Sequence, residues 1–95
     1  MTGADLIQKE RERQLVEEGF TAESDAKYIY GELGVAAECY ITEARYFPNA
    51  NFREHRWPWD KKWWKPGPTA IRMLTKAGAL IAAEIDRRLR AGEKP

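Results

Sequence analysis

The segment FREHRWPWDKKWWKPGP, residues 52–68, carries all four tryptophans, the only histidine and three of the five prolines of a 95-residue chain. Pro58, Pro66 and Pro68 each remove a backbone donor and clash with the preceding turn, so no continuous helix crosses the segment. Its aromatic residues also lack the alternation that a strand requires. The stretch 48–67 is therefore predicted to be an ordered loop with at most one short helical turn, separating helices on either side. Spread on a surface, four indoles would expose more apolar area than a soluble monomer tolerates. They must pack onto those helices or grip a ligand.

Downstream, Pro68 suits the first position of a helix predicted over 68–90, which Gly92 stops. Ile71, Leu74, Gly78, Ile81, Ile85 and Leu89 recur at intervals of three and four and read as its buried stripe. The small residues Ala77, Gly78, Ala82 and Ala83 suggest that the preceding helix packs unusually close. Upstream, Pro48 ends a helix predicted over 25–46, with Ile29, Leu33, Ala36, Tyr40 and Ala44 as its stripe. Gly31 and Gly34 inside it each cost roughly 1 kcal/mol against Ala and read as points of close backbone approach. Thr21, Ser24 and Asp25 are its candidate caps. A first helix is predicted over 4–18, ending at Gly19. Its apolar arc, Leu6, Ile7 and Leu15, is interrupted by Glu10, Arg11 and Gln14, a polar strip that is either solvated or lines a pocket. The expected fold is all-α: three helices in one domain, the second and third forming an antiparallel hairpin.

The size permits one domain near the lower limit for a core without disulfides or metals. Sixteen Lys and Arg against fifteen Asp and Glu leave a net charge of +1, which gives no field for duplex DNA, so any anion site must be local. Cys39 is the only cysteine, and the N-terminus lacks the apolar core of a secretory signal, so a reducing cytoplasm is expected. The longest apolar run, Ala77 to Ala83, is too short to cross a bilayer.

Metal chemistry finds little support, since one His and one Cys at no recognisable spacing do not make a zinc site. Glu32, Glu38, Glu43, Glu84 and Asp86 offer carboxylates for Mg²⁺, but Glu84 and Asp86 point about 160° apart on a helix. Neither Cys39 nor His55 has a recognisable catalytic partner, and no phosphate-cradling glycine loop follows a strand. No cofactor and no metal site is predicted. The informative combination is Trp with Lys and Arg. Arg53, Arg56, Lys61, Lys62 and Lys65 interleave with Trp57, Trp59, Trp63 and Trp64, and Arg72 and Lys76 follow on one helical face. Indole planes stack on nucleobases while cations meet phosphates, so this pairing suits a nucleotide or a single strand.

The motifs ERERQ (10–14), GELGVAAECY (31–40), WPW (57–59), WWKP (63–66) and RMLTKAGALIAAEIDR (72–87) together resemble a group of small uncharacterised proteins encoded by phages and prophages. The resemblance covers nearly the whole chain. It implies a phage-borne accessory protein in the bacterial cytoplasm, by analogy with small oligomeric helical proteins that sequester nucleotide immune signals. A second, weaker similarity is to MazG-like all-α pyrophosphatases, whose Mg²⁺ site uses ExxE and ExxD. Here Glu32, Glu38 and Glu43 miss the first spacing, and Glu84-Ile85-Asp86 misses the second by one residue.

The expectation is thus a cytoplasmic protein that binds a phosphorylated nucleotide-like ligand without catalysis and assembles as a homo-oligomer. Arg72 and Lys76 are assigned to phosphate, with Lys65 nearby, and Trp63 or Trp64 to the base. Tyr40 or Glu10 is assigned to the ribose, with Arg11 and Gln14 lining the pocket. The alternatives are a Mg²⁺-dependent nucleoside triphosphate pyrophosphohydrolase and a module that docks its Trp-rich loop on a host protein.

Overall fold

The computed structural model describes residues 1–48 and 56–95, and all regular structure within them is helical. The elements are α1 (Gly3–Glu17), α2 (Ala22–Asp25), α3 (Glu32–Tyr46) and α4 (Ala70–Arg90), with a 3-10 turn at Lys61–Trp63.

Helix α1 begins with a capping box: Thr2 Oγ1 accepts from the Asp5 amide at 3.1 Å, and Asp5 Oδ2 accepts from the Thr2 amide at 2.8 Å. It closes where Gly19 takes φ +70° and the Phe20 amide returns to the Gln14 carbonyl.

The helix predicted over 25–46 is two elements rather than one. Thr21 caps the four-residue α2 through the Ser24 amide, and α3 starts only at Glu32. Gly31 breaks the run because it sits at φ +79°, which an L-residue avoids, and Glu32 Oε1 accepts from the Tyr30 amide at 2.8 Å. Gly31 therefore serves backbone conformation, not close approach. A side chain at Gly34 would meet open space, so close approach does not explain that glycine either. Leu33, Ala36, Tyr40 and Ala44 are buried as the periodicity predicts, whereas Ile29, on the segment between α2 and α3, is exposed.

Helix α4 is capped by Thr69, whose Oγ1 accepts from the Arg72 amide at 3.0 Å, so the helix starts two residues after Pro68. The largest departure from the sequence reading is which face it buries. Ile71, Leu74, Ile81, Ile85 and Leu89 are all exposed, and the buried face is Met73, Ala77, Leu80 and Ala83. These join Leu33, Ala36, Ala37, Tyr40 and Ala44 of α3 in one core cluster. The alanines bring α3 and α4 together, and Phe20, Tyr28, Trp57, Trp59 and Trp64 fill the edge with rings. Gly78 admits α1, not α3: a Cβ there would lie 2.5 Å from Ile7 Cδ1.

Two polar contacts complete the packing of α1. Arg11 turns away from the aromatic rings, donating to the Phe20 carbonyl and to Asp86, each at 3.4 Å. Its guanidinium also lies 4.0 Å from Asp25, a fully buried carboxylate with neither oxygen hydrogen-bonded. No helix among the described residues is long and apolar enough to cross a membrane.

Candidate functional site

Four regions of the chain converge on one cavity of about 400 Å³. Helix α1 contributes Glu10, Arg13, Gln14 and Glu18, and the α2–α3 region contributes Phe20, Lys27, Tyr28 and Tyr40. The tryptophan segment closes it with Trp57, Trp59, Asp60, Trp63 and Lys65, and α4 supplies Lys76 and Leu80. That volume falls in the range of small-molecule sites, and the walls are mainly rings.

The rings support one another edge to face. Trp57 meets Tyr40, Trp59 and Trp64 with centroids 5.5, 5.3 and 4.9 Å apart, and Trp59 reaches Tyr28 at 5.1 Å. Trp64 stacks on Tyr40 at 4.8 Å and 21°, outside the cavity lining, so it braces the wall. Trp63 differs: it is 51% exposed at the mouth, with the Lys62 and Lys65 ammonium groups 5.4 and 5.6 Å from its ring centre. Asp60 starts the turn that presents Trp63, accepting from the Lys62 amide through its side chain and from Trp57 Nε1 through its carbonyl.

The tryptophan segment is latched to the helices at Lys65. Its amide donates to Tyr40 Oη at 3.3 Å, and its carbonyl accepts from Lys76 Nζ at 2.6 Å. Burial pushes the Tyr40 phenol up to about 12, so it is neutral at any physiological pH. Burial, then the neighbouring Arg72 charge, pulls the Lys76 ammonium below its ordinary value.

The cavity floor is polar and nearly sealed. Glu10 and Gln14 are 2% and 3% exposed. Glu10 takes both arms of Arg13 at 2.9 and 2.8 Å, the Gln14 amide at 3.1 Å and Arg72 at 2.7 Å. Burial alone would raise its pKa, but the hydrogen bonds from Arg13, Arg72 and Gln14 outweigh it and hold the group below the usual carboxylate value. Arg13 spans to Glu18 as well, at 2.8 Å. Among the described residues, two buried polar atoms of the lining have no hydrogen-bond partner: Gln14 Oε1, an acceptor, and Trp59 Nε1, a donor. Such atoms are costly unless something hydrogen-bonds them.

Of the residues singled out by sequence, Glu10, Gln14, Tyr40, Trp63, Lys65 and Lys76 line the cavity. Arg72, Arg11 and Trp64 do not. Arg72 reaches Glu10 from the other side, and Lys76 donates to the Lys65 carbonyl, so both cations assigned to phosphate already have protein partners. Lys27 and Lys65 lie at the rim, each over a ring, and neither forms an ion pair among the described residues. Arg53 and His55 lie outside the described residues. The sequence signal for Arg13 was its spacing: it follows Glu10 by three residues and Gln14 follows by four, so both reach Glu10 on one face, where Arg11 points elsewhere. Lys27 and Tyr28 were assigned to a continuous helix, and reading Gly31 as a left-handed cap would have released them to the site.

Among the described residues no three His, Cys, Asp or Glu side chains gather around a point where an ion could sit. Glu84 is engaged by Arg87 and Arg88, Asp86 by Arg11, and Glu38 by Arg56 at 3.6 Å. Searches of family models, of curated proteins and of solved structures return no match for this chain.

Proposed function

We propose that the aromatic cavity binds a nucleotide-like ligand without transforming it. The observation that carries this reading is the ring-walled cavity itself, two of whose lining residues each hold a buried atom without a partner among the described residues, Gln14 Oε1 and Trp59 Nε1. A flat heterocycle stacks among the indoles, and a donor and an acceptor on its edge suit the two atoms once their side chains turn toward it, whereas an aliphatic ligand offers neither. Lys27 and Lys65 stand where a phosphate emerging from the mouth meets them, and Trp63 lies beside them as a stacking face.

Charge narrows the ligand class. Four cations and three carboxylates among the lining residues leave one net positive charge. A triphosphate, at roughly −4, would bring its charge against Glu10, Glu18 and Asp60 with little compensation, whereas a monoester or cyclic diester of about −1 to −2 matches. In this reading α3 and α4 form the antiparallel hairpin across which the tryptophan segment lies, and Tyr40 and Lys76 latch that segment. The phage-borne context implied by the sequence resemblance makes sequestration of a nucleotide immune signal the role of such a site.

A thermal-shift screen with linear and cyclic nucleotides tests the proposal. A matching ligand at a hundred times its Kd adds about 2.7 kcal/mol, a rise on the order of 10 °C or more for a domain this small. Chromatography of the same mixtures should return the ligand intact. A panel that leaves the melting temperature unmoved, or that yields hydrolysis products, would sink the proposal.

A further inference from the structure

The outer face of α4 is the second surface that needs an occupant. Ile71, Leu74, Ile81, Ile85 and Leu89 are 67, 49, 42, 52 and 46% exposed. Together with Gly78, positions 71, 74, 78, 81 and 85 alternate by three and four, the spacing that two packed helices use. The face runs about 27 Å without a break. Ile7 of α1 sits over Gly78, so the stripe has no dent there. An apolar face of this length exceeds the scattered side chains that a monomer leaves in water.

We infer that this face pairs with the same face of a second copy, the two α4 helices running antiparallel. The pattern is self-complementary about a twofold axis near Ala79 and Leu80. Leu74 then lies opposite Ile85, Ile81 opposite the Ile7 side chain that covers Gly78, and Ile71 opposite the aliphatic stem of Arg88. A parallel pair in register would instead set Arg88 against Arg88. Two such faces bury on the order of 1,000 Å², about the threshold for a specific interface. Lys76 and Leu80, which line the aromatic cavity, project from the other side of α4, so both cavities stay open in the pair.

Light scattering on the full chain at micromolar concentration is expected to give twice the 11.0 kDa chain mass. Ile81→Glu is expected to return the mass to a single chain while its helical circular dichroism and any nucleotide-induced thermal shift persist, which separates this inference from the ligand proposal. Orientation is tested by cysteine cross-linking in a Cys39→Ala background. Leu74→Cys mixed with Ile85→Cys should form a disulfide-linked pair, whereas Ile85→Cys alone should not, its two copies lying about 16 Å apart along the axis. A wild-type chain of single mass, a larger oligomer, or self-cross-linking of Ile85→Cys would overturn the inference.

Discussion

Glu10 is the side chain on which α1, α4 and the cavity floor converge, and its charge is fully used by Arg13, Arg72 and Gln14. Glu10→Gln removes the charge and leaves two guanidinium groups facing a neutral amide. The expected cost is about 2–3 kcal/mol at pH 7 by chemical denaturation, below the full value for a buried pair because both arginines are partly exposed. The carboxylate's folded pKa lies below its ordinary 4.5, so its contribution is complete above that value and fades as pH falls through the folded pKa. The gap between wild type and Glu10→Gln should therefore narrow in acid, and a gap that widens there contradicts the assignment. Asp25 has the opposite sign. Burial raises it above 3.8, and the attraction of Arg11 and Arg90 only partly compensates, with Asp86 and Glu84 adding to the rise. The native state then takes the proton first, so stability falls as pH rises from about 3.8 through the folded pKa, and the penalty persists at neutrality. Asp25→Asn is expected to stabilise the fold by about 1 kcal/mol at pH 7 and to make little difference near pH 3. A less stable variant at pH 7 would mean that the Arg11 attraction outweighs desolvation.

At the scale of elements, two glycines three residues apart do opposite things. Gly31 holds φ +79° at the start of α3, and Gly34 lies inside the helix facing open space. Gly31→Ala should cost about 1–2 kcal/mol, and Gly34→Ala should add up to about 1 kcal/mol. Thermal denaturation of the two variants reads both signs, and a shared sign would disprove the break between α2 and α3. From sequence alone the two are indistinguishable, because periodicity continues through Ile29 and Leu33 as though one helix ran on. The ends of α1 and α4 were legible, since Gly19 and Gly92 are left-handed stops whose meaning is local. The face of α4 was not. Its bulky aliphatic stripe is the stronger periodic signal, but the chain buries the Met73, Ala77, Leu80 and Ala83 side, where small residues let α3 approach and distant aromatic residues fill the gap. Periodicity reports that a face is apolar; it does not say which of two apolar faces this chain covers and which it leaves outward.

For the molecule as a whole, the tryptophan segment both packs on the core and walls the cavity. Trp57, Trp59 and Trp64 are half-buried bracing, and Trp63 projects at the mouth, where the sequence reading had left Trp63 and Trp64 as alternatives. Removing Trp63 separates the two roles. Trp63→Ala should change stability by no more than about 0.5 kcal/mol yet weaken nucleotide binding roughly 5- to 100-fold, the worth of one stacked base. Isothermal titration against a monophosphate or cyclic nucleotide checks the affinity, and equal affinity in wild type and variant removes Trp63 from the site. The central claim, that a heterocycle enters among the rings and satisfies the orphaned polar atoms, is met most directly by the indole N–H signals of ¹⁵N-labelled protein titrated with nucleotides. The account predicts large shifts for Trp59, whose Nε1 has no partner, and for Trp63 at the mouth, with a smaller change at Trp57, already bonded to the Asp60 carbonyl. Four indole signals that hold their positions across the whole nucleotide panel would contradict it.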